Sequence, residues 1–258
     1  MNPIMSNLGG RLARFLSRPN PRYKPLATTD LEAITKVIAP GDVLLVEGNT
    51  RFSTAIKYLS QSTWSHAALY VGNAADPQNA ARRELVEADV VNGVLTVPLE
   101  KYDGMHTRIC RPHGLSAEDR ARVIAYALER VGHQYDLKNI FDLVRYLLPQ
   151  PPVPVRWRRR MLALGSGDPS RAICSTLIAQ AYQSVRYPIL PTITRTLSEQ
   201  DDRNDCYDDV LRLRHHSLFV PRDFDISPYF NIVKPTLTDA FDYKSIVWNE
   251  GSDTAASG

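Results

Sequence analysis

The sequence predicts an α+β fold with an antiparallel sheet, and three observations carry that prediction. Short apolar runs of strand length follow one another between residues 42 and 111, with helices inserted and no regular βαβ alternation. Asn92-Gly93 separates two of these runs, and Asn-Gly between strands is a strong hairpin signal. Late in the chain, ICSTLIAQAY has helical spacing, with Leu177, Ile178, Ala181 and Val185 apolar. That helix is the element for the sheet to pack on.

The elements follow in order. Thr29 to Ile38 reads as a helix, with Thr29 or Asp30 as its cap. Pro40-Gly41 breaks the chain, and Asp42 to Glu47 is a short strand. Phe52, Ile56 and Leu59 give Ser53 to Leu59 a helical period. Ala67 to Val71 is an apolar strand ending at Gly72. Strands follow at about 83–90, 93–98 and 105–111. Ser116 to Val131 is a helix with an N-cap, acids in its first turn and Gly132 at its end. Leu137 to Leu148 is a second helix. PQPPVP, 149–154, excludes regular helix or central strand. VRWRRR, 155–160, is the densest basic cluster, and 173–185 is the cysteine helix. Polar segments follow Pro191, then HHSLFVPRDFDISPYFNIVKP at 215–235. The division is therefore a basic N-terminal extension, 1–28, a domain over 29–235 with a Pro/Arg-rich insertion at 145–170, and a tail, 236–258.

Composition narrows the class. The 258 residues are 43% hydrophobic and 23% charged, which is ordinary for a globular protein. A net charge of +3 gives no global field for nucleic acid, and the basic cluster carries one Trp rather than a stacking platform. The three cysteines, Cys110, Cys174 and Cys206, include no CxxC pair. His215-His216 has no Cys, Asp or Glu at ligand spacing. No metal and no cofactor is therefore expected. No apolar run reaches membrane-spanning length, and the N-terminus lacks the apolar core of a secretory signal, so a cytoplasmic location is expected. Leu8, Leu12, Phe15 and Leu16 share one helical face, and Arg11, Arg14 and Arg18 another. Two readings stay open: a helix lying on an anionic membrane, or an ordinary N-terminal helix weakened by Gly9 and Gly10.

Three residues have the chemistry of a nucleophilic site. Cys174 opens its helix, with Ser170 as a candidate cap, where free N–H groups and the helix dipole favour a thiolate. His66 opens an apolar strand, placed to take a thiol proton and return it to a leaving group. Glu87 lies in ELVEADV, where Leu85, Glu87 and Asp89 share one face. A carboxylate there is suited to fix the tautomer of His66, and Asp89 competes for that role. Each also has a structural reading: a small buried thiol, a satisfied core histidine, a solvated glutamate. Tyr135, in GHQYD, is either a packing tyrosine or a donor to an oxyanion.

PGDVLLVEG, TWSHAALYVG, ELVEADVVNGV, GHQYD and ICSTLIAQAY stand in an order that resembles the circularly permuted papain-like amidases of the YiiX/YaeF kind, relatives of NlpC-type cell-wall peptidases. The similarity covers about residues 30–235. Papain-type enzymes run Cys before His, whereas here His66 precedes Cys174 by about a hundred residues; permutation explains the inversion. The resemblance implies a permuted papain-like fold, a sheet or half-barrel against the cysteine helix. It implies Cys174 as nucleophile, His66 as base, Glu87 as third residue and Tyr135 near the oxyanion. The implied activity is amide hydrolysis through a thioester, on a small peptide or amino-acid amide. Two alternatives are a lipid acyltransferase or phospholipase of the same fold, acting on a lipid-like substrate with membrane contact through residues 8–18 and 156–160, and a catalytically silent binding module.

Overall fold

The computed structural model describes residues 18, 23, 30–79, 81–89, 92–134, 173–197 and 207–235. The predicted helix 137–148, the insertion 145–170, Tyr135, Ser170 and the tail lie outside the described residues. So does the N-terminal extension apart from Arg18 and Tyr23.

The chain enters through helix α1 (Leu31–Val37), capped by Asp30, whose carboxylate accepts the Ala33 N–H at 2.7 Å. Strand β1 (Val43–Val46) leads to helix α2 (Arg51–Ser60), which Thr50 caps through the Ser53 N–H at 3.0 Å. Strands β2 (His66–Gly72), β3 (Glu84–Asp89) and β4 (Gly93–Pro98) form a meander. A 3-10 turn, Leu99–Tyr102, then carries the chain to β5 (Thr107–Pro112). Helix α3 (Ala117–Leu128) has Ser116 as its cap, as its sequence predicts. The cysteine helix, α4, runs Ile173–Ser184. Strands β6 (Thr192–Leu197) and β7 (Tyr207–Arg212) form a separate hairpin, followed by a short helix α5 (Pro221–Asp225) and strand β8 (Phe230–Val233).

Six strands make one sheet in the order β4-β3-β2-β1-β5-β8, with every pairing antiparallel. The VLLV run of β1 is buried at all four positions because apolar residues pack against both faces. On one face Val43, Leu45, Ala67, Leu69, Val86 and Ala88 meet α3 and α4. On the other, Leu44, Val46, Ala68, Tyr70 and Leu85 meet Ile34 and Ile38 of the α1 segment and Leu99 and Tyr102 of the turn. The alternation of ELVEADV thus divides between two cores, with Val86 and Ala88 on the helix side and Leu85 on the other.

Two elements differ from the sequence reading. The segment after Pro191 contains the β6–β7 hairpin, whose six paired positions are linked through the backbone and carry no Asn-Gly or Asp-Gly turn. In the late segment, Phe230–Val233 adds to the sheet beside β5, so residues distant in sequence complete its edge. At the opposite edge, β4 is covered locally by the chain leaving α3. Val94 donates to the His133 carbonyl at 2.9 Å, and Gly132 donates to that of Val94 at 2.8 Å. This approach leaves no room on Gly93. It has a φ of 77°, and a Cβ there would stand 2.3 Å from the His133 oxygen.

Gly93→Ala is therefore expected to destabilise the domain by about 2 kcal/mol or more, combining left-handed backbone strain with a backbone clash. Urea unfolding checks this; a loss within a few tenths of a kcal/mol contradicts the tight packing of β4 on residues 132–133.

Candidate active site

The structure brings three of the four sequence candidates together. His66 is the first residue of β2, paired with Val46 at the end of the β1–β2 ladder. Glu87 lies on β3 with 1% of its surface exposed, so it is no solvated glutamate. The His66 Nε2–H donates to Glu87 Oε2 at 3.0 Å, an assignment that follows because a carboxylate only accepts. Cys174 arrives from the first turn of α4, itself buried. Its sulfur lies beside the His66 ring and the Ala67 backbone N–H, both of which favour a thiolate, and Ser175 Oγ is 4.0 Å away. With Nε2 on the carboxylate, Nδ1 is the nitrogen left for sulfur. Tyr135, the fourth candidate, lies outside the described residues.

Asp89, the competing carboxylate, has another task. Its Oδ1 accepts from the Asn92 backbone N–H at 2.7 Å and from the Asn92 side chain at 2.9 Å, tying the β3–β4 connection. The carboxylate that orients His66 is Glu87.

Glu87 has two further donors that the motifs did not reveal. Lys101 Nζ donates to Oε1, and the buried Tyr102 hydroxyl donates to Oε2, the oxygen that also receives His66. Both come from the turn after β4. Their reach to Glu87 depends on the hairpin register that sets Glu87 opposite Leu95, which no local pattern encodes.

The charges reinforce one another. Burial opposes ionisation of Cys174, but the adjacent imidazolium, the Ala67 N–H and the Ser175 hydroxyl hold its pKa below the ordinary thiol value. Burial likewise opposes a charged His66, and the thiolate followed by Glu87 overcomes it, raising His66 to about 10. Burial would raise Glu87, yet His66 and Lys101 bring it down to about 2. The combination favours a thiolate–imidazolium pair backed by a carboxylate, the three groups titrating as a unit. Cys110 is equally buried without such a partner; burial and the nearby Asp225 push its thiol far up, leaving it protonated.

The site opens on a cleft of about 230 Å³ whose walls include Gly48, Phe52, Ser53, Ser65 and Met105. Gly48 donates to Ser65 Oγ at 2.9 Å, and a Cβ on it would stand 2.2 Å from Ser53 Oγ, so this wall requires glycine. Among the described residues no group of three His, Cys, Asp or Glu side chains is arranged to hold a metal ion. No helix among them is long and apolar enough to cross a membrane.

A second buried carboxylate lies on the far side of β1. Glu47 accepts from His106 Nδ1 at 2.9 Å, from Lys57 Nζ at 3.2 Å and from the Tyr23 hydroxyl. The sequence gives His106 no special setting; here it joins Glu47 and packs against the Trp64 ring, 4.9 Å between centroids. No thiol is among these partners, and Tyr23 meets the domain here through Glu47 and Lys57.

Residues 37–146 match the family described as permuted papain-like amidase enzyme, YaeF/YiiX, C92 family. The matched stretch contains His66, Glu87, Lys101 and Tyr102; Cys174 lies beyond it. The chain has the permuted papain-like fold, with five of the six sheet strands preceding the cysteine helix and β8 following it. Among solved structures it is similar to one titled as metalloprotein yiiX from Escherichia coli O157:H7, at 18% identity and a TM-score of 0.45, over 76% of this chain and 96% of that one. No curated protein matches the chain.

Two measurements test these electrostatics. Iodoacetamide should modify Cys174 with an apparent pKa below the free value of about 8.5, and His66→Ala should raise it, while Cys110 stays inert until unfolding. An ordinary thiol titration in both proteins contradicts the ion pair. The second is linkage. The lowered Glu87 pKa contributes stability that is present above the unfolded value of 4.5 and is lost as pH falls toward 2. The raised His66 pKa contributes stability present below 6.5 and lost as pH rises toward 10. The stability advantage of wild type over Glu87→Gln should therefore shrink as pH falls below 4.5; an advantage that grows on acidification contradicts the assignment.

Proposed function

We propose, from that family match and the geometry around His66, that this protein is a cysteine hydrolase cleaving an amide bond through Cys174, His66 and Glu87 by way of a thioester acyl-enzyme. The observation that carries the reading is a single imidazole bridging a helix-start thiol and a buried, ionised carboxylate.

The proposed steps follow from the charges. The Cys174 thiolate attacks the substrate carbonyl carbon, a C–S bond forms, and the carbonyl oxygen becomes an oxyanion. Cys174 lies in the first turn of α4, where N–H groups have no partner within the helix; these, with Tyr135 as a candidate donor, stabilise that oxygen. The imidazolium gives its Nδ1 proton to the departing nitrogen as the C–N bond breaks. Water then attacks the thioester and yields its proton to His66. The acid departs and the thiolate–imidazolium pair is restored. Glu87 remains ionised throughout, keeping Nε2 protonated and stabilising the cation.

The substrates that suit this reading are small peptides or amino-acid amides. Intact-mass measurement after mixing with panels of amino-acid amides, short peptides and lipid esters should reveal an acyl adduct on Cys174. The chemical class that forms it separates amidase from lipid-directed chemistry. Cys174→Ala should reduce turnover by about 10³-fold or more, and Glu87→Gln by about 10-fold. An activity that survives Cys174→Ala would sink the proposal.

A further inference from the structure

We propose that the turn Leu99–Tyr102 is a positioning device for the Cys174–His66 pair: Tyr102 fixes the orientation of Glu87, Lys101 offsets its charge, and together they set the pH range in which the pair is reactive. The inference rests on the reading of that pair as the reacting groups.

The geometry begins with how the turn is held. Leu99 is fully buried, and its N–H donates to the Arg83 carbonyl at 2.8 Å, pinning the turn to the start of β3. Tyr102 is buried in the same core as Leu85, its ring centroid 6.1 Å from that of His66. Its hydroxyl lands on the carboxylate oxygen that His66 uses, and Lys101 takes the other. Rotating the carboxylate would break all three contacts. Burial, and then the neighbouring Glu87 carboxylate, raise the Tyr102 pKa well above the ordinary phenol value, which keeps the hydroxyl protonated. Tyr102 is thus a permanent neutral donor. Lys101 differs: 43% of its side chain is exposed, and it also lines the cleft.

The two contributions are separable. Among the described residues, the groups facing the pair are Cys174 from α4, His66 from β2, Glu87 and Asp89 from β3, and Lys101 and Tyr102 from the turn. Lys101 is the only permanent cation among these described groups. A cation beside two titrating groups disfavours protonation of both, so it lowers the pKa of His66 and of Cys174 together. Removing it should move the whole reactive window upward. Removing the Tyr102 hydroxyl changes no charge, and should instead free the carboxylate and loosen the Nε2–H bond.

The test uses the full chain with ¹⁵N-labelled histidine, as wild type, Lys101→Met, Lys101→Arg and Tyr102→Phe, each made once with Cys174 intact, for the thiolate readout, and once with Cys174→Ala, for the His66 readout alone. Imidazole ¹⁵N shifts report His66 protonation and tautomer; iodoacetamide reports the thiolate. Lys101→Met should move both titrations up by about half a pH unit or more, and Lys101→Arg should restore them. Tyr102→Phe should leave the midpoints within a few tenths of a unit while the slowly exchanging Nε2–H resonance is lost. Titrations in Lys101→Met that coincide with wild type overturn the proposal, as does an undisturbed Nε2–H in Tyr102→Phe. Should Tyr102→Phe fail to fold, the partly exposed Lys101 arm decides alone. The Cys174→Ala background keeps the tests distinct: an unreactive thiol in wild type sinks the hydrolase reading, whereas the His66 readout judges the turn without it.

Discussion

A carboxylate removed from water must be surrounded by donors, and much of this site follows from Glu87 meeting that requirement. Leaving such a charge unpaired in an apolar layer would cost several kcal/mol. Here three groups from two directions satisfy it: the His66 ring at the end of β2, and Lys101 and Tyr102 from the turn. The imidazole is therefore held by a group that has little freedom to move. That rigidity is passed to sulfur through a ring whose two nitrogens are both engaged.

The sheet makes this possible by dividing the work between its faces. Alternation along β3 sends Val86 and Ala88 toward the helices and Leu85 toward the opposite core, where Tyr102 packs. The thiol comes from the helix side, on α4, where the Ala67 N–H favours its thiolate; Ala67 is itself a residue of the helix-side core. His66, at the strand end, joins the two sides. A residue further along β2 would be enclosed by its neighbours and unable to do so. Position at the edge of the ladder, rather than any property of imidazole, makes this histidine different from one satisfied in the core.

That logic explains what was readable in the sequence. Cys174, His66 and Glu87 sit in strongly patterned segments: a helix start, the opening of an apolar strand, and an alternating strand. Pattern fixes their local geometry, and the order of motifs relates them to one another. The starts of two helices and one hairpin were also legible, because Asp30 and Ser116 are ordinary caps and Asn92-Gly93 an ordinary turn. Lys101 and Tyr102 were not, since LEKY resembles any polar turn until the β3–β4 register brings it back to Glu87. The Glu47–His106 contact, β8 and the β6–β7 hairpin share that difficulty: each depends on a partner far away in the chain. Asp89 shows the limit within a motif, because two carboxylates on one strand face are equivalent by pattern and only the turn at Asn92 separates them.

The two described cysteines show which physical term makes a nucleophile. Both are buried, and burial alone raises the pKa of each. Were burial decisive, Cys174 would be as inert as Cys110. The difference is the neighbour: Cys110 has the carboxylate of Asp225 nearby, which opposes a thiolate, whereas Cys174 has the His66 ring, which favours one. That imidazolium persists because Glu87 supports it, and Glu87 stays ionised because its donors hold it. The reactivity assigned to Cys174 is thus carried by a chain of charge compensation ending four residues past β3's hairpin partner, not by the thiol or its helix alone.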